Sequence, residues 1–155
     1  MRGWLRRMPR PVLLVALFLA LTGAFIVVVG PLFSGSGAAA AELAGALPTQ
    51  ATSGRPFEVD LAYDNTGAAL ISPVCVGTAV SGPLQPQYAI FLSVDRVPYA
   101  KGAVCGGSLG AGDAISIRMF FTATAPGTAT YRLTPRQGRR SLGPSLSATV
   151  EIAPR

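Results

Sequence analysis

The chain has 155 residues, half of them apolar and only 13 % charged, and its formal net charge is +6. Four of its thirteen basic residues lie within the first ten positions, so the remainder is close to neutral. The high isoelectric point therefore gives no reason to expect a nucleic-acid partner. The length suffices for one domain with a single core in addition to a membrane segment.

The N-terminal region has the pattern of a membrane anchor. Residues 11–33 form an uncharged apolar run of 23 residues, and a spanning helix needs about 20. Backbone groups in lipid must bond within their own segment, so we expect this run to be a transmembrane helix. Arginines crowd residues 1–10, and the next charge is Glu42. This asymmetry predicts a cytoplasmic N-terminus and an exported C-terminal part at the cytoplasmic membrane.

A cleaved signal peptide is the alternative interpretation of this run. Signal peptides have apolar regions of about 7 to 15 residues that end in small residues. The length of the run favours a retained signal anchor, whereas the alanines before Glu42 would suit cleavage near Ala41. Both interpretations place residues 42–155 outside the cytoplasm, in a periplasmic or extracellular position, and cleavage would make the protein secreted.

Residues 34–47 are predicted to be a linker rich in glycine and alanine, and residues 48–155 the extracytoplasmic domain. Beyond the linker the apolar period becomes two, which is typical of half-buried strands. The candidate strands cover residues 57–63, 88–94, 114–122, 129–134 and 146–152. With short strands between them, they predict an all-β fold, an immunoglobulin-like β-sandwich of about seven strands.

Two stretches between these strands have weaker patterns. Prolines and glycines interrupt residues 68–86, for which we expect a loop or one short edge strand around residues 74–80. Residues 96–100 are expected to form a short partner strand, and residues 102–112 a loop.

The order of these segments resembles bacterial immunoglobulin-like domains of the CARDB, or cell-adhesion-related, type. The shared features are an alternating strand ending in Asn65-x-Gly67, a turn from Leu109 to Gly112, and a Pro-Gly turn before the strand of Tyr131. The resemblance implies the sandwich fold and an interaction or spacer role in an exported bacterial protein. It carries over no functional residue.

Cys75 and Cys105 are the only cysteines of the chain. An even number of cysteines in an exported domain predicts a disulfide. A redox or metal role is less favoured, because the chain has no C-x-x-C motif and no histidine. We expect a structural disulfide that joins the proline-rich stretch to the loop before residue 114.

No residue pattern predicts catalysis or a cofactor. The sequence GGSLG at residues 106–110 matches the letters of a hydrolase nucleophile elbow, but a strand is expected to follow it and no histidine is available as a base. The aspartates lie in different strands and turns, without the spacing of a calcium loop. We therefore expect no enzyme activity, no cofactor, no metal and no small-molecule substrate.

The candidate contact residues are one basic cluster and a few aromatic side chains. Arg136, Arg139 and Arg140 are expected in a hairpin loop between the last two strands, either solvated or in contact with anionic lipid headgroups or an acidic partner. Tyr99 is a further candidate, and so are Tyr88 and Phe120, although such residues more often cover a core.

Two functions fit this pattern. The first is a membrane-tethered interaction or structural module that binds a protein partner at the outer membrane face. The alternative is an accessory single-pass subunit of a larger membrane complex of the transport or respiratory type. In that case the small residues Ala16, Ala20 and Ala24 of the predicted helix would pack against other helices.

Overall fold

The computed structural model describes residues 37–91 and 95–155, and this part is all-β, with two sheets. In chain order the strands are β1 (Ala41–Ala44), β2 (Gln50–Thr52), β3 (Pro56–Asn65), β4 (Val74–Ser81), β5 (Leu84–Phe91), β6 (Asp95–Pro98), β7 (Ala103–Gly106), β8 (Ala114–Ala123), β9 (Gly127–Gln137), β10 (Arg140–Ser141) and β11 (Leu146–Ala153). The predicted transmembrane helix, residues 11–33, lies outside the described residues. Within the described ranges, no helix has the length and apolarity needed to cross a membrane.

The two sheets pack face to face as a sandwich. One has five strands in the order β1-β3-β8-β5-β6, and the other has the order β2-β11-β9-β4-β7 with β10 paired to β9. Strands β1, β3, β8 and β5 take the positions of A, B, E and D in an immunoglobulin fold, and β4, β9 and β11 those of C, F and G. The predicted sandwich is confirmed, but the described residues form eleven strands rather than about seven, because short strands flank the long ones. Strand β1 belongs to the sandwich although it lies in the segment assigned to the linker.

The alternating pattern of the long strands sorts apolar side chains into one core. In β3 and β8, Leu61 pairs with Ile117 and Val59 with Met119, and all four are at most 3 % exposed. An aromatic cluster bridges the sheets, where the ring centroids of Phe121 and Tyr131 are 5.5 Å apart. Burial of these side chains stabilises the fold in proportion to the apolar area removed from water.

Strand β4 corrects the expectation of a loop or short edge strand at residues 74–80. It lies between β9 and β7 and pairs with both. Its outward positions carry Cys75, Gly77 and Ala79, which are small rather than polar, so the alternation is hidden in the sequence. Gly77 leaves room for Arg136, whose side chain lies where a Cβ would stand. Likewise, residues 103–106 form β7 rather than loop.

Asn65 joins the end of β3 to two loops. Its side chain is 1 % exposed, and its Nδ2 donates to the carbonyls of Ala69, Leu109 and Gly110 at 2.8–3.1 Å. Its Oδ1 accepts a hydrogen bond from the backbone N–H of Gly67 at 3.1 Å. One buried amide therefore bonds to three carbonyls and one N–H group and ties the end of β3 to both loops.

Two buried tyrosines extend across the core. The hydroxyl of Tyr63, on β3, donates to the carbonyl of Arg136 on β9 at 3.3 Å. The hydroxyl of Tyr131, on β9, donates to the carbonyl of Pro48 at 3.3 Å. Both side chains are at most 1 % exposed. Burial disfavours the phenolate and raises the pKa of Tyr63 and of Tyr131 to about 12.

The predicted disulfide between Cys75 and Cys105 is confirmed. The two residues are directly opposite each other in β4 and β7, with Cα atoms 4.1 Å apart. The bridge therefore joins neighbouring strands of one sheet rather than a loop to a loop. Cys75 is fully buried whereas Cys105 is exposed.

Replacing both cysteines with alanine should lower the free energy of unfolding by about 3.5 kcal/mol, because the bridge closes a loop of about 30 residues in the unfolded chain. For a domain of this size that corresponds to a fall in Tm of roughly 10 °C or more. Thermal unfolding followed by circular dichroism measures the shift. Reductant should reproduce it in the native protein and have no effect on the double variant. An unchanged Tm under oxidising conditions would contradict a stabilising role.

Candidate functional site

The outer face of the five-stranded sheet carries a row of aromatic and cationic side chains, which we call the aromatic ladder: Phe120 on β8, Tyr88 on β5 and Arg96 on β6. The rings of Tyr88 and Phe120 stack with centroids 4.5 Å apart and planes 21° from parallel. The guanidinium carbon of Arg96 lies 4.3 Å from the centroid of Tyr88, a cation–π contact. The alternation of β5 and β8 turns Ala89 and Met119 inward and so directs Tyr88 and Phe120 outward.

An ion-pair cluster lies beside the ladder on β3 and β8. Arg118 Nε is 2.6 Å from Asp60 Oδ1 and 3.4 Å from Glu58 Oε2. The hydrogen bond from Arg118 to Asp60, and the charges of both carboxylates, raise the pKa of the guanidinium above its ordinary value. The cluster is solvent-exposed, so it adds little to stability. It does place one positive and two negative side chains next to the ladder.

A groove of about 740 Å³ runs along the same face. Four of its lining residues have small or no side chains: Ala44, Gly45, Ala62 and Ser116. Ile90 and the Arg118–Asp60 pair also line it. The small residues leave a depression between the larger side chains. The groove has the volume of a small-ligand site but few polar groups that converge on one point.

The outer face of the other sheet differs in chemistry. Two pairs of hydroxyl side chains bond to each other there, Ser81–Thr130 at 2.6 Å and Thr134–Ser145 at 2.7 Å between oxygens. A second, smaller depression of about 530 Å³ there is lined by Arg132, by hydroxyl-bearing residues such as Thr149 and by small apolar ones such as Ala148. This face therefore presents hydroxyl groups in place of a stacked aromatic pair.

The three predicted contact arginines lie at a tight hairpin formed by β9 and β10. Arg139 and Arg140 are exposed at its tip. Arg136 is half-buried: its Nη2 donates to the carbonyl of Arg139 at 2.7 Å, and its aliphatic part covers Gly77. Arg136 therefore stabilises the hairpin, whereas Arg139 and Arg140 are exposed to solvent.

Tyr99, the remaining predicted contact residue, is half-buried and packs against the core. Its hydroxyl donates to the carbonyl of Thr78 at 3.2 Å. The structure thus assigns it a packing and bonding role within the fold. Tyr88 and Phe120 were among the predicted contact residues, whereas Arg96 and Arg118 were not. The period-two pattern of β8 places Arg118 on the same outward face as Phe120, and this pattern could have identified Arg118 from the sequence.

The described residues contain no group of three or more His, Cys, Asp and Glu side chains arranged to hold a metal ion. The GGSLG sequence at residues 106–110 spans the end of β7 and the following loop, and the next element is strand β8 rather than a helix. Asp60 is committed to its ion pair with Arg118.

Fold and site together define an immunoglobulin-like sandwich with an aromatic and cationic outer face. No family model and no curated protein matches the chain. Among solved structures, AvmM, which catalyses macrocyclization in alchivemycin A biosynthesis, is 13 % identical over 74 % of this chain and 88 % of its own, with a TM-score of 0.50.

The predicted resemblance to CARDB domains is confirmed at the level of the fold. The CARDB domain of a Pyrococcus furiosus protein is 16 % identical, over 76 % of this chain and 95 % of that domain, with a TM-score of 0.47. A Listeria innocua β-glucosidase is 13 % identical over 74 % of this chain but only 16 % of its own, with a TM-score of 0.48. At such identities the likeness concerns the fold alone.

The expectation that the chain is not an enzyme is wrong. It was based on the sandwich fold and on the lack of a recognised motif, yet AvmM catalyses a reaction with a chain that matches this one over 88 % of its length. A fold of this kind therefore does not exclude catalysis, because activity depends on the residues placed on a fold rather than on the fold itself.

Proposed function

We propose that this protein is a membrane-tethered interaction module. In this proposal residues 11–33 anchor the chain in the cytoplasmic membrane and the immunoglobulin-like sandwich is displayed outside. The outer face of the five-stranded sheet binds a protein partner. The observation that carries the proposal is the aromatic ladder of Phe120, Tyr88 and Arg96, with stacking distances of 4.5 and 4.3 Å.

The chemistry of the ladder supports protein recognition. Aromatic residues and arginine are enriched in protein interfaces, because they supply large contact areas at a low cost in conformational entropy. Here the stack holds all three side chains in place before binding. When the face of a guanidinium stacks on a ring, the N–H groups at its edge stay available to bond a carboxylate.

The surface beside the ladder indicates which chemical groups a partner should present. Ile90 lies beside Arg96 in the β5–β6 register and lines the groove. An apolar side chain of the partner would fill this depression while a carboxylate meets Arg96. We therefore propose a partner that presents an acidic residue next to an apolar one.

Photo-crosslinking in the native membrane tests this proposal. Benzoylphenylalanine replaces Phe120 in the full chain, and a matched control carries it at Thr149 on the outer face of the other sheet. We expect one defined crosslinked protein from position 120 and none from position 149. Tyr88→Ala with Arg96→Ala should lower the yield about tenfold, whereas Arg132→Ala should leave it unchanged. Equal products from both positions would contradict a specific ladder interface.

Mild detergent extraction followed by mass spectrometry separates the two functions named from the sequence. Migration of the chain with the crosslinked partner alone supports the interaction module. A fixed set of several stoichiometric companions would instead make the chain an accessory subunit of a larger membrane complex. The mass of the recovered chain also decides whether the N-terminal segment is retained.

A further inference from the structure

We propose that one end of the sandwich docks on an anionic lipid surface through Arg139, Arg140 and Leu70. This is the end at which the chain enters the domain. We call this group the basal contact. The inference rests on the membrane tether proposed above and adds a second, lipid-binding surface distinct from the aromatic ladder. The ladder is on the outer face of one sheet, whereas the basal contact is formed by loops at one end of the sandwich.

The chain enters the domain beside the β9–β10 hairpin. The backbone N–H of Ala41, the first residue of β1, donates to the carbonyl of Leu142, directly after β10, at 3.0 Å. The backbone N–H of Gly67 donates to the carbonyl of Ala40 at 3.1 Å. The entering segment therefore lies between this hairpin and the loop that follows β3.

Arg139 and Arg140 point outward because the hairpin has a tight two-residue turn. Gln137 pairs with Arg140, which leaves only Gly138 and Arg139 in the turn. Gly138 has a φ of 58°, a left-handed conformation that glycine adopts without strain. Both arginines at the tip are exposed, and the salt bridges within the described ranges involve Arg118 rather than either of them.

An exposed apolar side chain accompanies these charges. Leu70 is 60 % exposed and is the one large apolar residue that the described part of the chain leaves on its surface in this way. It belongs to the loop that follows β3, and the side chain of Gln137 ties this loop to the hairpin by donating to the carbonyl of Ser72 at 3.1 Å. Leu70 and the two arginines therefore lie on linked loops at the same end of the sandwich, and an anionic membrane interface attracts arginines together with an exposed apolar residue.

Three carboxylates lie at the same end of the sandwich: Asp64 at the end of β3, Glu42 opposite it on β1, and Asp113 directly before β8. They are on the side of the five-stranded sheet, while the arginines belong to a hairpin of the other sheet. Positive charge is therefore concentrated at one side of this end. We expect the sandwich to meet the bilayer on the side of the hairpin, with the acidic side further from the lipid.

The length of the connecting chain makes such contact geometrically feasible. Only residues 34–36 separate the end of the predicted anchor from Gly37. Even fully extended, this connection spans at most about 14 Å. Electrostatic attraction of arginines to an anionic surface acts over a Debye length of about 8 Å at physiological salt. Under the proposed tether, the connection is therefore too short to hold the entry of the domain far from the membrane.

The test places the full chain in lipid nanodiscs and measures how close the domain lies to the headgroups. Gadolinium-chelating lipid broadens the amide NMR signals of nearby residues, and Gly138 reports the basal contact while Gly54 reports the opposite end. Nanodiscs of phosphatidylcholine alone are compared with nanodiscs that also contain phosphatidylglycerol. We expect stronger broadening at Gly138 in the anionic discs, reversed by high salt, and little change at Gly54.

Matched variants assign the effect to the two arginines. Arg139→Gln with Arg140→Gln should lower the ratio of docked to undocked domain about thirty-fold. Arg55→Gln with Arg155→Gln removes the same charge from the opposite end and should leave docking unchanged. If the broadening at Gly138 does not depend on lipid charge, or persists in the Arg139/Arg140 variant, the proposed basal contact is wrong while the tether still stands. A chain that is not retained in the discs would overturn the tether and the docking together.

Discussion

Replacing Asn65 with aspartate is expected to lower the free energy of unfolding by about 4 kcal/mol at neutral pH. The Nδ2 group of Asn65 donates to three carbonyls, and a carboxylate in its place would face those oxygens with negative charge and no proton to donate. Urea denaturation of the two proteins measures the difference. Asp113→Asn, an exposed substitution next to the same loop, is the control and should change stability by less than about 0.5 kcal/mol.

The pH dependence of the Asn65→Asp variant gives a second readout. Burial and the surrounding carbonyls favour the neutral acid, so the folded-state pKa of the new carboxyl should exceed its unfolded value. Stability is then lost as pH rises through the folded pKa and recovers as pH falls toward the unfolded one. A loss that is the same at both pH extremes would contradict the assigned role of the Asn65 amide.

Alkaline pH should unfold the domain through its two core tyrosines. The pKa of Tyr63 and of Tyr131 is raised to about 12 in the folded state, while an unfolded tyrosine titrates near 10. Between these values the unfolded chain loses protons that the folded chain keeps, so stability falls as pH rises. Two pKa units correspond to about 2.7 kcal/mol per tyrosine and about 5 kcal/mol for both.

Urea midpoints recorded between pH 8 and pH 12, together with tyrosinate absorbance, measure this effect. Tyr63→Phe with Tyr131→Phe should flatten the alkaline decline, at a cost of about 1 kcal/mol for each lost hydrogen bond. Tyr88→Phe on the ladder is the matched control, since it leaves both core hydroxyls in place. A decline of equal size in the double variant would show that other groups cause the alkaline unfolding.

The features that carry the CARDB resemblance turn out to be structural. Asn65 and Leu109, from two of the motifs, meet in one hydrogen-bonded junction, and Tyr131, from the third, donates its hydroxyl across the core. Residues that hold strands together can be shared by sandwiches with different roles. This explains physically why the resemblance identifies the fold and transfers no function, and why a macrocyclase can share the fold.

Much of the architecture was determined by the sequence alone. Strands β3, β8, β9 and β11 were predicted because one of their faces is buried and the other solvated, which imposes a period of two on the residues. The disulfide followed from cysteine count and compartment, and the CARDB-like fold from the order of strands and turns. The anchor at residues 11–33 remains a prediction from the sequence.

Only the tertiary structure decided which residues share a surface. Strand β4 was predicted only as one alternative to a loop, and as an edge strand, because its outward side is covered by Arg136 and a disulfide and does not need polar residues. The aromatic ladder joins three strands whose pairing register aligns Tyr88 with Phe120. The loops that carry Leu70 and the two exposed arginines are brought to the same end of the sandwich, where Gln137 bonds to the carbonyl of Ser72. Residues far apart in the chain meet through strand order and register, which local periodicity does not encode.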